Sequence, residues 1–589
     1  MNIREKEIIK KLYTTPYVTQ RELAQLNACS LGTVNKCLKN LREENYIDLE
    51  TNLTDKSRKL VATTKPKNAI ILAAGYGMRM VPINTEIPKG LLKIYGEPLI
   101  ERIIRQLHEV GINEIYVVVG FMKECYEYLI DEYGVKLLVN PDYALKNNLH
   151  SLKIACQYLG NSYVIPCDVW CAHNPFNEIE IYSWYMITEQ KTFESNIKVN
   201  RKNELKFVSK EDAGNSMIGI SYLNISDSKR VRDRVCWMTT LSEYDSSFWE
   251  QALYDSDKIN VAARVVSSDE VIEINTYEQL RELDSGSSNL KSKVIEVAAR
   301  ALNANEKDIV QISVLKKGMT NRSFLFSCNG KKYIMRIPGE GTEKLINREQ
   351  EALVYSVIKN KNICDQIVYL NPINGYKITE YLENTRTCDA FSESDIKKCM
   401  LKLREFHELE LQVDHEFDMF RQIDFYESLW GGCSSIYKDY EITKANVLSL
   451  RNYIETCEKK KVLTHIDAIP DNFLFYNKKN ETEQIVLLDW EYAAMQDPHV
   501  DVAMFCIYSM YNKEQIDGVI DVYFNNQCKK DVRIKIYCYI SVCGLLWSNW
   551  CEYKRCLGVE FGEYSLKQYR YAKEYYRIVQ KELLEMKNV

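Results

Sequence analysis

Two apolar runs that each end in acidic residues restrict this chain more than any other feature. Leu463 and Thr464 lead into His465, Ile466 and Asp467, and Asn472 follows five residues after that aspartate. Further on, Val486, Leu487 and Leu488 end in Asp489, followed by Trp490, Glu491 and Tyr492. Two carboxylates and an amide delivered by strand ends suit phosphoryl transfer. Asp467 fits the base near an acceptor hydroxyl, and Asn472 with Asp489 fits a pair of oxygen ligands for Mg2+. Asp471 lies beside this group without an assigned role. The 589 residues exceed what one hydrophobic core supports, so two to four domains are expected.

Upstream, a strand pattern at Gln311 to Leu315 enters Lys316, Lys317, Gly318, Met319, Thr320, Asn321, Arg322 and Ser323, a loop suited to covering phosphates. The next strand, Tyr333 to Ile337, carries Arg336 where protein kinases carry a lysine, with Glu349 as its expected partner for holding ATP. Residues 289–589 resemble the bacterial choline kinases of the aminoglycoside phosphotransferase-like fold. That resemblance implies a two-lobed, protein-kinase-like α+β domain with a hinge at Glu380, Tyr381 and Leu382, where backbone groups meet adenine. Trp547 and Trp550 lie three apart and share one face of an apolar helix, a spacing that by itself favours core packing. The resemblance instead implies an aromatic cage for a quaternary ammonium ion, built from Trp490, Tyr492, Trp547 and Trp550 and balanced by Glu491 or a neighbouring acid.

A second site begins at Asn68. The buried-strand pattern to Leu72 runs into Ala73, Ala74, Gly75, Tyr76, Gly77, Met78 and Arg79. Glycines there let backbone amides approach a polyphosphate, and a fixed cation such as Arg79 neutralises it. Pro88, Lys89, Gly90, Leu91, Leu92 and then Gly96, Glu97, Pro98 follow at the spacing of sugar and alcohol phosphate nucleotidyltransferases. Residues 68–283 look most like the bacterial phosphocholine cytidylyltransferases of the Lic type, an α/β Rossmann-like fold with a mixed, mainly parallel sheet. The resemblance rests also on Asn147, Asn148, Leu149, His150, Ser151, Leu152 and on Val164 to Asp168. It implies that Asn148 and Ser151 lie by the nucleotide and that Asp168 and Glu273 hold Mg2+. Asn275 stands where the family carries a second aspartate, keeping an oxygen ligand but losing a charge. Lys89 and Arg79 would offset repulsion as a phosphate oxygen attacks the α phosphorus of CTP. Trp170, Tyr222 and Trp237 are candidates for the cationic head group.

Residues 1–62 alternate helical patterns. Ile8, Ile9 and Leu12 share a face, Thr19 caps a second helix and Ser30 a third, with a two-stranded wing expected across Tyr46 to Leu60. This resembles the winged helix-turn-helix domains of bacterial regulators, with Asn35, Lys36, Lys39 and Arg42 on the recognition helix. Residues 1–68 hold 13 Lys and Arg against 8 Asp and Glu. Local DNA binding and plain packing against the enzyme are both open readings. Breaks are expected at Val61 to Asn68 and Asp284 to Asn289.

The net charge of −5 argues against wholesale coating of nucleic acid. The 19 cysteines, odd in number and scattered without a Cys-x-x-Cys pair, read as reduced thiols, and the apolar runs are too short to span a bilayer. The start of the chain shows no secretory pattern, so a cytoplasmic protein is expected. The expected function joins consecutive reactions: choline with ATP gives phosphocholine, and phosphocholine with CTP gives CDP-choline for decoration of a surface glycan. Ethanolamine or another amino alcohol as substrate, and a DNA-binding regulator using the catalytic domains as sensors, are the alternatives.

Overall fold

Each of the first three helices starts at a side chain able to accept an orphan amide. Asn2, Thr19 and Ser30 cap helices Ile3–Thr14, Gln20–Leu26 and Leu31–Glu43. A computed structural model of the chain describes residues 1–589 except 16–18, 196, 201–202, 210–211, 256–257, 316–320, 340–344, 478–482, 557–560 and 588–589. The polypeptide divides into two units, Met1–Val297 with Ile312–Val314, and Ala298–Gln311 with Leu315–Val589.

The amino-terminal helices do not end in the expected wing. Ile47 and Leu53 form a single antiparallel bridge, and Asp55–Thr64 is helix. Helices this short are marginal alone and are held by packing. Ile8, Ile9, Leu12, Leu23, Val34 and Leu38 share their core with Ile179 and Ile181. Lys10 pairs with the buried Glu180 at 2.7 Å, Lys65 with Glu178 at 2.7 Å, and Tyr182 donates to Glu7 at 2.6 Å. Val61–Asn68 is therefore no slack linker: helix runs to Thr64, Lys67 N donates to the Asn161 carbonyl, and strand begins at Asn68.

The rest of the first unit is built on a ten-stranded mixed sheet. Lys136–Val139, Glu114–Val119, Asn68–Ala73 and Ser162–Pro166 are parallel neighbours in that order. Gly214–Leu223 joins antiparallel to Ser162–Pro166, and Trp184–Thr192 joins Gly214–Leu223. Asn68–Ala73 is buried throughout, as its unbroken apolar run requires of a strand covered on both faces. Loops after parallel strands gather at their carboxyl ends, where such sheets place ligands.

In the second unit, strands Asn321–Cys328, Lys331–Pro338, Lys377–Glu380 and Ile367–Leu370 form an antiparallel ladder, followed in sequence by mainly helical structure. Helices Lys530–Cys556 and Glu563–Lys587 pack against each other and against His499–Tyr508 and Met419–Ser428. Hairpin-like pairings flank the acid residues: Val462–Thr464 with Ala494–Gln496, and Phe473–Tyr476 with Gln484–Leu487. The phosphate-covering loop expected at Lys316 to Thr320 lies outside the described residues. Among the described residues no helix is long and apolar enough to cross a membrane.

Candidate active sites

In the first unit, register brings distant acids together. Val271–Glu273 pairs antiparallel with Val169–Cys171, setting Glu273 opposite Val169, and Ile274 N donates to the Asp168 carbonyl at 2.9 Å. Lys89, on the short 3-10 turn Lys89–Leu91, donates its ammonium to Asp168 Oδ2 and, at 2.8 Å, to Asn275 Oδ1. Asn275 Oδ1 is thus engaged by the Lys89 ammonium rather than by a metal ion. Glu273 is pushed up to about 7 by burial and by the Asp168 carboxylate, with Lys89, Asn275 and Arg79 opposing the shift.

The glycine loop abuts this cluster. Ala73 closes the first strand, Ala74 O accepts from Phe121 N, and Gly77 has φ +59°. A Cβ at Gly77 would meet Lys89 Cβ at 3.3 Å, so conformation and space both favour glycine. Arg79 is exposed, and Gly75 has open space where a Cβ would lie. Asn148 and Ser151 serve the scaffold: Asn148 Oδ1 accepts from Trp249 N at 2.8 Å, and buried Ser151 Oγ accepts from Asn140 Nδ2 at 3.1 Å. The head-group candidates are not brought together. Trp170 packs edge-on to Tyr95 and carries the Arg102 guanidinium 5.3 Å from its ring centre, a poor place for a second cation. Tyr222 is fully buried with its hydroxyl on the Thr64 carbonyl, and Trp237 is 56% exposed beside Lys229 and Arg234.

In the second unit, Asp467 and Asn472 meet as expected. Asn472 Nδ2 donates to Asp467 Oδ2 at 3.1 Å and to its carbonyl at 2.9 Å. Burial and the carboxylates of Asp489 and Glu491 push Asp467 well above the usual carboxylate range. His465 Nε2 donates to the Leu488 carbonyl at 2.9 Å, tying this loop to the Asp489 segment. Ile466 and Asp489 both hold positive φ, +68° and +63°, a strain tolerated where surrounding structure fixes it. Asp501 supplies that fixing and was not read from the sequence. Its Oδ2 accepts from His465 N at 2.9 Å and its Oδ1 from Ile466 N at 2.7 Å, while His407 Nε2 lies 3.0 Å from Oδ2.

Arg336 pairs with Glu351, at 2.5 and 2.9 Å, and not with Glu349, which is exposed. Arg336 also lies 4.0 Å from Asp489 and from Glu491, and Arg348 bridges Glu351 at 2.9 Å and Glu491 at 3.2 Å. Glu491 therefore answers arginines rather than an ammonium ligand. At the hinge, Glu380 N donates to Gln366 O and Tyr381 N to Lys332 O, both at 3.0 Å, so these amides belong to the sheet and Leu382 is the first residue beyond them.

Trp490 leaves the expected cage. It is fully buried, donates Nε1 to the Leu487 carbonyl and packs on Phe406 and His465. Tyr492, Trp547, Trp550 and Phe561 instead form a run of ring contacts at 6.1, 5.7 and 5.1 Å, continued by Tyr564 and Tyr508. Burial pushes the hydroxyls of Tyr492, Tyr564 and Tyr508 up, with the Asp467 carboxylate among the lesser causes. Tyr508 donates to Asp471 at 2.8 Å, giving that residue a structural role.

One unit thus has the site of a nucleotidyltransferase and the other that of a kinase-like phosphotransferase. Residues 69–175 match the family model of the MobA-like NTP transferase domain, and residues 312–540 that of the choline/ethanolamine kinases. A choline-phosphate cytidylyltransferase of Streptococcus pneumoniae is 30% identical over 37% of this chain and 96% of its own length. Protein LicA of Haemophilus influenzae is 28% identical over 42% of this chain and 96% of its own. A 2-aminoethylphosphonate cytidylyltransferase of Lancefieldella rimae is 28% identical over 37% of this chain and 92% of its own. The chain belongs, through its first unit, to the choline-phosphate cytidylyltransferase family, and that unit is fused to a choline kinase-like domain.

Proposed function

We propose that this chain makes CDP-choline in two steps, phosphorylating choline with ATP in the second unit and transferring a cytidylyl group from CTP to phosphocholine in the first. The observation that carries this reading is the presence, in one polypeptide, of the Lys89–Asp168–Glu273 cluster beside Gly77 and the Asp467–Asn472 pair near Asp489. Asp467 orients the choline hydroxyl and accepts its proton as the oxygen attacks the γ phosphorus. Arg336, held by Glu351, steadies ATP phosphates. Tyr492 and Trp547 present ring faces to the quaternary ammonium, and Trp550, which already carries the Lys554 ammonium 5.4 Å from its ring centre, packs edge-on behind Trp547. In the first unit, Lys89 and Arg79 draw together the phosphate of phosphocholine and the α phosphate of CTP, and the glycine-loop amides hold the departing pyrophosphate.

Both sites fit Mg2+. Asp168 Oδ1 is buried without a hydrogen-bond partner among the described residues, and Glu273, next to it, is raised in its pKa by the same carboxylate. Among the described residues no three His, Cys, Asp or Glu side chains are disposed to hold a metal ion by themselves, so two carboxylates would share the ion with nucleotide phosphates. Asn472 and Asp489 are the corresponding residues of the kinase unit. Bound there, Mg2+ supplies charge neutralisation at the phosphates.

Two single-site variants test the assignment. Asp467→Ala should make CDP-choline from supplied phosphocholine but not from choline, and Asp168→Ala should stop at phosphocholine. Loss of both reactions in either variant contradicts it. Ethanolamine is the rival acceptor; the run of rings through Tyr492 and Trp547 favours choline, and equal kcat/KM for the two alcohols would reverse that preference.

A second reading concerns residues 1–62. Asn35, Lys36 and Lys39 are exposed on the capped helix Leu31–Glu43, while Arg42 is turned to Thr51 and Asp48 of the bridge. A basic helix face with this support suits the major groove of DNA. A gel shift that weakens with salt and with Lys36→Ala and Lys39→Ala is the expected result; no shift at low salt would leave these helices a packing module.

A further inference from the structure

Cys156 and Cys236 belong to neither acid cluster. Cys156 opens the 3-10 turn Cys156–Tyr158, which continues helix Asn148–Ala155, and Cys236 sits near the end of helix Ile225–Met238. Arg232 fixes the two segments against each other, with Nε donating to the Cys156 carbonyl at 2.9 Å and Nη2 to the Leu159 carbonyl. The two sulfurs face each other at 4.0 Å, and the Lys153 ammonium stands 3.1 Å from Cys236 Sγ. Both cysteines are half-buried, so a small reagent has access.

A disulfide sets its sulfurs about 2.05 Å apart, so closure asks for roughly 2 Å of approach between side chains already in contact. The thiolate is the attacking species, and a neighbouring ammonium favours it. That ammonium touches Cys236. The Cys156 thiol is raised by burial and by Cys236, against Lys153 and Arg232. The pair is therefore asymmetric, with Cys236 as the attacking thiol and Cys156 as the resolving one.

We propose that Cys156 and Cys236 form a reversible dithiol–disulfide modification site that reacts with low-molecular-weight disulfides. The Cys236 thiolate attacks one sulfur of R–S–S–R; that S–S bond breaks, one RS− departs and a mixed disulfide remains on Cys236. Cys156 gives its proton to solvent and attacks the Cys236 sulfur, expelling the second RS−. Two electrons pass from the protein dithiol to the small disulfide, and the two thiolates take up protons as RSH. Added thiol runs the sequence backwards.

The test exposes the full chain to glutathione buffers of rising oxidised-to-reduced ratio, quenches in acid, alkylates remaining thiols and maps peptides by mass. The expected product joins the Cys156 and Cys236 peptides with two hydrogens lost, and it disappears when reduced glutathione is restored. Cys156→Ser should hold glutathione on Cys236. Lys153→Met, which removes the ammonium standing beside Cys236 Sγ, should slow closure at neutral pH. Independent alkylation of both cysteines at every ratio overturns the proposal, as does a cross-link that forms only in denaturant. An unchanged rate in Lys153→Met overturns the assigned order of attack.

Discussion

Asp501→Asn is the most informative single change in the kinase unit, because it alters two short bonds while keeping the side chain's shape. Asp501 accepts from His465 N at 2.9 Å and from Ile466 N at 2.7 Å with its two oxygens. An asparagine keeps one acceptor and turns an NH2 group toward the other amide. The surviving bond falls from the charged range of about 1.5–3 kcal/mol to the neutral range of about 0.5–1.5 kcal/mol, a loss of about 1 kcal/mol, and a buried donor left unpaired costs about 1–3 kcal/mol. Together these predict that the segment around Ile466 opens more easily by about 2–4 kcal/mol. At roughly tenfold per 1.4 kcal/mol, amide exchange at His465 and Ile466 should quicken by about 30- to 700-fold. Native-state hydrogen exchange read by mass spectrometry measures this directly. Choline phosphorylation should fall in parallel, since Ile466 at φ +68° precedes Asp467. Cytidylyl transfer serves as the internal control and should not change. Unaltered exchange at the two amides, or equal loss of both reactions, would refute the role given to Asp501.

Gly77→Ala should reduce cytidylyl transfer while sparing phosphorylation, because φ +59° costs a side chain about 1–2 kcal/mol and its Cβ would press on Lys89; steady-state kinetics of both reactions check it. Glu250 is pushed up to about 7, from an ordinary 4.5, by burial. Keeping it ionised therefore costs stability that sets in above the unfolded value and levels off above the folded one. Glu250→Gln, which can still accept from Tyr185, should stabilise the first unit at about pH 8 by up to about 3 kcal/mol, shrinking below about 1 kcal/mol at about pH 5, as read from urea midpoints. Tyr492→Leu, at a ring that is only partly buried, should raise the choline KM about tenfold with little change in kcat, the loss of one cation–π contact. Trp490→Ala should instead cost about 3–5 kcal/mol of stability, because that ring is core, and denaturant unfolding distinguishes the two.

The glycine loop with Lys89, and the Asp467–Asn472 pair, were legible because their chemistry is compressed into short stretches. Asp467 with Asn472 needs six residues, and Gly75, Gly77 and Lys89 need fifteen. What escaped the sequence depended on rotation or on distance. Glu349 and Glu351 are two residues apart on one helix, which points them to nearly opposite sides, and spacing alone cannot say which faces Arg336. Trp490 follows Asp489, whose left-handed backbone turns the next residue into the core. Asp501 sits on a separate helix, 35 residues beyond Ile466, with no local pattern to announce it. The wing failed for a local reason: Thr54 and Asp55 begin a helix whose Ser57 is buried, with its hydroxyl on the Tyr46 carbonyl, and whose Val61 is also buried. Asn275 was singled out for keeping an oxygen while losing a charge, and in the structure that oxygen accepts from the Lys89 ammonium.

Phosphorus NMR of the purified chain given choline, ATP, CTP and Mg2+ tests the central claim most directly. The phosphocholine signal should rise first and then give way to the paired signals of CDP-choline, with pyrophosphate appearing alongside. Phosphocholine that accumulates without any diester, or a chain that leaves choline untouched, would contradict the account.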